Sequence, residues 1–94
     1  MAQLIVRHKI EDYAKWKQYF DGDAGNRKAS GSKGGRLFRN ANDPNELIVL
    51  FDWDNLGNAQ KFAGSDALRE VMMKAGVVDH PDLYFVEEVE ALTA

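Results

Sequence analysis

The sequence predicts an α+β fold of order β-α-β-β-α-β, an antiparallel four-stranded sheet with its helices on one face. Three observations carry this expectation. Apolar, β-branched runs stand near both ends and at the centre of the chain; two intervening segments repeat apolar residues at spacings of three and four; and a turn signal around Pro44 joins two strand-like runs.

Leu4 to Ile10 reads as the first strand. Glu11-Asp12 opens a helix with Asp12 as its N-cap, and Tyr13, Trp16, Phe20 and Ala24 line one helical face until the pattern fades at Ala29 to Gly31. Gly31-Ser32-Lys33-Gly34-Gly35 reads as a loop and Arg36 to Arg39 as a short second strand. Asn42-Asp43-Pro44-Asn45 is the turn of a hairpin whose third strand is Glu46 to Asp52. Asp54 or Asn55 caps a helix ending at Ala63, and Ser65 caps a second piece running to Ala75, with Leu68, Val71, Met72 and Ala75 on one face and Gly76 as its stop. Leu83 to Val89 is the last strand. Right-handed crossovers then set strands one and three side by side in the middle, the ferredoxin-like arrangement, in a single domain spanning 1–94.

Helices in one layer cover one face of a sheet, and a strand whose other face meets water alternates apolar with polar residues. Leu47-Ile48-Val49-Leu50-Phe51 does not alternate, nor do Leu4-Ile5-Val6 and Leu83-Tyr84-Phe85-Val86. Ninety-four residues leave nothing to cover a second apolar face, so the expected partner is a second copy, a homodimer packed sheet on sheet.

Composition narrows the function. The chain has no cysteine, which removes disulfides, thiolate nucleophiles and cysteine-ligated metals. Its net charge of −3 argues against a nucleic-acid or anionic-membrane partner. That charge is uneven: residues 1–47 hold nine Lys/Arg and six Asp/Glu (+3), and residues 48–94 hold three and nine (−6). No apolar run approaches a membrane span and the N-terminus lacks the pattern of a signal peptide, so a cytoplasmic location is expected. The motifs G-x-S-x-G, H-E-x-x-H and G-x-G-x-x-G are absent, leaving hydrolase and dehydrogenase readings without support.

The stretch Leu37 to Glu46, the strand end Phe51-Asp52-Trp53-Asp54 and the run Phe62-Ala63-Gly64-Ser65-Asp66-Ala67-Leu68 resemble the antibiotic biosynthesis monooxygenase-like family. The resemblance covers essentially the whole chain and implies a dimeric α+β barrel. The family's members include cofactor-independent monooxygenases of aromatic polyketides, haem-degrading monooxygenases and proteins with no known reaction, and the resemblance implies one of these for this chain. The helical Trp and His of the haem-degrading branch fall at about Phe62 and Met72, and the first strand has no Asn, so this chain departs from that branch at all three positions.

The implied reaction is monooxygenation of a small aromatic or polyketide-like substrate without metal, flavin or haem; the alternative is a non-catalytic small-molecule-binding or interaction protein on the same fold. His8 is the candidate base, with the same side-chain parity as Leu4 and Val6, although a histidine at that position also serves as a hydrogen-bonded core residue. Tyr84 or Arg36 would stabilise the substrate anion. Trp16, Phe20, Trp53, Phe62, Met72 and Met73 are candidate walls for a flat ligand, together with Val71 and Tyr84, and the same spacing also describes plain core. His80, beside Asp79 and Asp82, reads as a ligand-facing loop residue or a turn former; as a metal set its spacing is poor, and no metal is expected. Arg27, Lys28, Lys33, Arg36 and Arg39 are five cations with no acid among them. They read as a site for an anionic group, a solvated edge that blocks strand pairing, or a face for acidic residues of a partner subunit.

Overall fold

A computed structural model describes residues 2–94. The chain runs β1 (Ala2–Lys9), α1 (Tyr13–Gly22), α2 (Ala24–Ser30), β2 (Ser32–Asn40), β3 (Asp43–Trp53), α3 (Leu56–Ala63), α4 (Asp66–Ala75) and β4 (Asp82–Glu87). The strands form one antiparallel sheet in the order β2-β3-β1-β4, so β1 and β3 are central as the crossover rule requires. This is the ferredoxin-like α+β fold.

The caps follow local chemistry. The Asp12 carboxylate accepts from the Lys15 amide, the Asn55 side chain from the Asn58 amide and the Ser65 hydroxyl from the Leu68 amide, each satisfying a first-turn donor. The first helical segment is broken at Asp23, whose N–H reaches back to the carbonyls of Tyr19 and Phe20 and closes α1 before α2 begins. Gly31 and Gly76 end α2 and α4 at φ 118° and 83°.

Three boundaries differ from the sequence reading: the last strand, expected to reach Val89, ends at Glu87 and leaves Val89 exposed, and two others lie in the β2–β3 hairpin. The glycine stretch expected to be a loop belongs to β2, because its small residues let the backbone approach β3. A Cβ on Gly35 would lie 2.0 Å from the Leu50 carbonyl oxygen, and Gly34 takes φ 108° at a register shift between Ser32 and Gly34. The hairpin turns at Ala41-Asn42, earlier than Pro44 suggests. Pro44 sits in an irregularity where β2 advances one residue, from Arg39 to Asn40, while its partner moves from Leu47 to Asp43, so the missing N–H interrupts no ladder pair.

The two sheet faces differ. Leu4, Val6 and His8 of β1 with Leu47, Val49, Phe51 and Trp53 of β3 point toward the helices and are buried with Trp16, Ala59, Phe62 and Ala75. The opposite face carries Ile5, Ile48 and Leu50, half-buried, with Phe38 and Tyr84 exposed at 47% and 56%. No helix covers it. At one end Arg7 forms ion pairs with Glu46 (3.0 Å), Asp79 (2.9 Å) and Asp82 (2.7 Å); at the other Gln3 donates to Asp52 at 2.9 Å. Among the described residues no helix is long and apolar enough to cross a membrane.

Candidate functional site

Between the helices and the covered face lies a chamber of about 50 Å³. Its floor is Val6, His8, Val49 and Phe51 of the central strands, and α4 roofs it with Leu68, Val71, Met72 and Ala75. Trp16 and Phe20 of α1 and Phe62 of α3 form the sides, and Asp23 and Arg27 stand at one end. The aromatic residues make a continuous row. His8 and Trp16 have ring centroids 5.7 Å apart, Trp16 stacks on Phe20 at 4.6 Å, and the Arg27 guanidinium lies 4.0 Å from the Phe20 centroid.

His8 is the exceptional group in this wall. It is 3% exposed, and neither ring nitrogen has a hydrogen-bond partner among the described residues. Leaving a buried polar atom unpaired costs about 1–3 kcal/mol, and His8, which lines the chamber, carries two of them. Burial pushes the His8 imidazole down to about 4; the charge of Asp79 opposes this shift and that of Arg7 adds to it. At neutral pH the ring is therefore uncharged, with one nitrogen free to accept and the other to donate.

Arg27 has a different environment. Nη1 donates to the Phe20 carbonyl at 2.7 Å, and the guanidinium lies over the Phe20 ring. Burial lowers its pKa against the influence of Asp23 and Asp21, although a guanidinium stays charged at any physiological pH. No carboxylate pairs with it among the described residues.

The candidate residues divide. Trp16, Phe20, Phe62, Val71 and Met72 line the chamber with His8. Tyr84 and Arg36 do not: by register they pair with Ile5 and Leu50 and point to the opposite face, so the sheet separates both from His8. Trp53 is on the covered face but fully buried outside the chamber, its Nε1 donating to the Ser30 carbonyl at 3.1 Å, a structural bond joining β3 to α2. Met73 falls on the outer side of α4 and is 75% exposed. His80 borders a separate surface groove; its Nδ1 lies 3.1 Å from the Pro81 carbonyl oxygen, while Asp79 and Asp82 turn to Arg7. Asp23 and Arg27 escaped the sequence reading as wall residues. Arg27 lies two helical turns beyond Phe20, so extending the Trp16–Phe20 stripe by seven residues reaches it.

No protein-family model matches the sequence, and no curated protein matches it by sequence search. Solved structures match it by fold. One from Bordetella bronchiseptica, provisionally named an antibiotic biosynthesis monooxygenase, superposes with a TM-score of 0.79 at 17% identity, covering 95% of this chain and 97% of that one. SnoaB, a cofactor-independent oxygenase from Streptomyces nogalater, gives 0.69 at 12% identity over 94% of each chain. Rv0793 from Mycobacterium tuberculosis gives 0.70 at 11% identity and 98% coverage of both. The fold is thus the one found in antibiotic biosynthesis monooxygenase-like proteins.

Proposed function

We propose that this protein is a cofactor-independent monooxygenase of a small, flat aromatic or polyketide-like substrate, with His8 as its acid–base group. The observation that carries this reading is the buried, doubly unpartnered imidazole in an apolar, aromatic-walled chamber. A core histidine kept for packing has its nitrogens bonded; one kept for a ligand leaves them to the ligand. The fold shared with SnoaB, a cofactor-independent oxygenase, adds support.

The reaction needs only the substrate and dioxygen. A ring nitrogen of His8 takes a proton from an activated CH2 group conjugated with a phenol or enol. The resulting anion passes one electron to O2, and the radical pair joins as a C–O–O⁻ peroxide. The imidazolium returns its proton, and loss of water from the hydroperoxide leaves a ketone: CH2 and O2 become C=O and H2O. An imidazole whose acid titrates near 4 is a weak base. The ion pair formed beside it raises its affinity for the proton, so His8 favours substrates that are themselves acidic and spread their anionic charge over several rings.

Admitting a ring to a chamber of about 50 Å³ requires its roof to move. Toward the chamber α4 presents only aliphatic and thioether side chains, against Trp16 and Phe20 of α1 and Phe62 of α3, so α4 is the wall taken to move. Two copies of the chain pack through their open sheet faces, covering Phe38 and Tyr84 and leaving the chamber on the outside of each. The Arg7 cluster, one guanidinium held by the three carboxylates of Glu46, Asp79 and Asp82, stands at the rim of that contact and keeps a net negative charge there.

Oxygen uptake with hydroxynaphthacene- and quinol-type substrates, and incorporation of labelled dioxygen into product, test the assignment. Turnover by the wild type that is lost in His8→Ala is expected. Turnover unchanged in His8→Ala removes His8 from the chemistry. Binding of these compounds without oxygen uptake moves the protein to the alternative reading, a small-molecule binder.

A further inference from the structure

Beside the chamber a second groove, about 250 Å³, runs along β2 and shares Phe20, Arg27, Val49 and Phe51 with it as lining. Its far wall is built from Ser32, Gly34 and Gly35, where β2 carries almost no side chains. Glycine at such positions lets a ligand approach the backbone closely. Lys17 also borders the groove, but its ammonium pairs with Asp21 one turn away. Arg36 borders it too, while its register with Leu50 sends the side chain to the other face. Arg27 is thus the cation common to chamber and groove, half-buried and without an ion-pair partner among the described residues.

We propose that Arg27 reads an anionic group on the ligand: the compound bound here is an aromatic acid whose carboxylate lies against the guanidinium while its far end reaches His8. The row His8–Trp16–Phe20–Arg27, in which Trp16 and Phe20 stack and His8 is tilted by 52°, has a neutral hydrogen-bonding group at one end and a fixed cation at the other. A flat ligand with a hydroxyl or enol at one end and an oxyanion at the other matches both. Of the guanidinium donors, only Nη1 is used among the described residues, by the Phe20 carbonyl, so the others remain for a charge-assisted, two-pronged contact with a carboxylate. Asp23, in the same wall and preceding Arg27 by one turn, opposes the anion. It sets an upper limit on affinity and disfavours dianions. Arg27 is a specificity residue here, with no part in the proton or electron transfer.

The inference rests on the chamber being the ligand site, and its test is independent of oxygenation. Isothermal titration under anaerobic conditions compares 6-hydroxy-2-naphthoate, its carboxamide and 2-naphthol. The wild type is expected to bind the carboxylate at least about tenfold more tightly than the carboxamide, the ratio of a charge-assisted to a neutral hydrogen bond. In Arg27→Met that preference disappears, acid and carboxamide binding within about twofold of each other; Arg27→Lys keeps part of it, and Asp23→Asn enlarges it. Equal binding of acid and amide by the wild type, no binding of either, or a preference that survives Arg27→Met overturns the proposal. Arg27 also closes the end of α1 through the Phe20 carbonyl; should Arg27→Met unfold, the wild-type ratio and the Asp23→Asn shift still decide. A protein that prefers the acid yet consumes no oxygen retains this site and loses only the oxygenase assignment.

Discussion

Replacing His8 by leucine separates a stability cost from a functional need, and its size follows from the structure. In the folded chain the imidazole titrates near 4, in the unfolded chain near its ordinary 6.5. Between those values the unfolded chain binds the extra proton, so stability falls as pH drops through 6.5 and the loss is complete below about 4. The full shift corresponds to about 3 kcal/mol, and about 2 kcal/mol of it is reached on going from about pH 7.5 to about pH 5. His8→Leu has no such dependence. It also removes two unpaired buried nitrogens, each costing about 1–3 kcal/mol, against some loss of shape fit. The variant is therefore expected to equal or exceed the wild type near pH 7.5, and the gap in its favour grows by about 2 kcal/mol near pH 5. Urea unfolding of both proteins at one fixed concentration measures this, and the comparison cancels the carboxylates that titrate in both. Parallel pH dependences would refute it, since they mean that His8 is solvated or paired in the folded chain.

Tyr84→Lys places a charge on the open sheet face opposite Ile5, without touching the chamber; light scattering is expected to show loss of the dimer while the fold, by circular dichroism, persists. An unchanged dimer would put the interface elsewhere. Gly35→Ala sets a methyl 2.0 Å from the Leu50 carbonyl oxygen, on rigid backbone. Strand separation at the β2–β3 ladder is then expected to cost several kcal/mol, on the order of the larger point-mutant effects, visible as a lowered melting temperature or insoluble protein. A melting temperature equal to the wild type would mean that β2 does not approach β3 so closely.

The elements were legible wherever a single local signal governed them. Asp12, Asn55 and Ser65 cap their helices because a short side-chain acceptor needs only the amide three residues on, and Gly76 stops α4 because its φ of 83° suits glycine. The reading failed where a glycine served two masters. Gly34 and Gly35 look like a loop because loops need conformational freedom, yet here the missing side chain matters more, and only the partner strand reveals that. At the site, parity along β1 puts His8 on one face with Leu4 and Val6, and only the packing shows that this face is the one under the helices. Strand parity alone could not place Tyr84 or Arg36 against His8, because a face is shared only through register: Tyr84 opposite Ile5 and Arg36 opposite Leu50 are both one residue out of phase with His8. Arg27 was visible as charge and not as a wall, since sequence neighbours Lys28 and Lys33 are exposed and the fold singles it out.

Each crossover in this fold consists of two short helices: α1 and α2 meet at Asp23, and α3 and α4 meet at Gly64-Ser65. A single long rod over the sheet would have to lift as a whole, breaking every contact along its length. A jointed one bends at its joint. Ser65 holds that joint through its hydroxyl, which donates to the Phe62 carbonyl and accepts from the Leu68 amide, while α3 is anchored by Ala59 and Phe62. If the chamber is the proposed ligand site, substitutions at this joint, rather than in the aromatic wall, are expected to alter selectivity for larger ring systems.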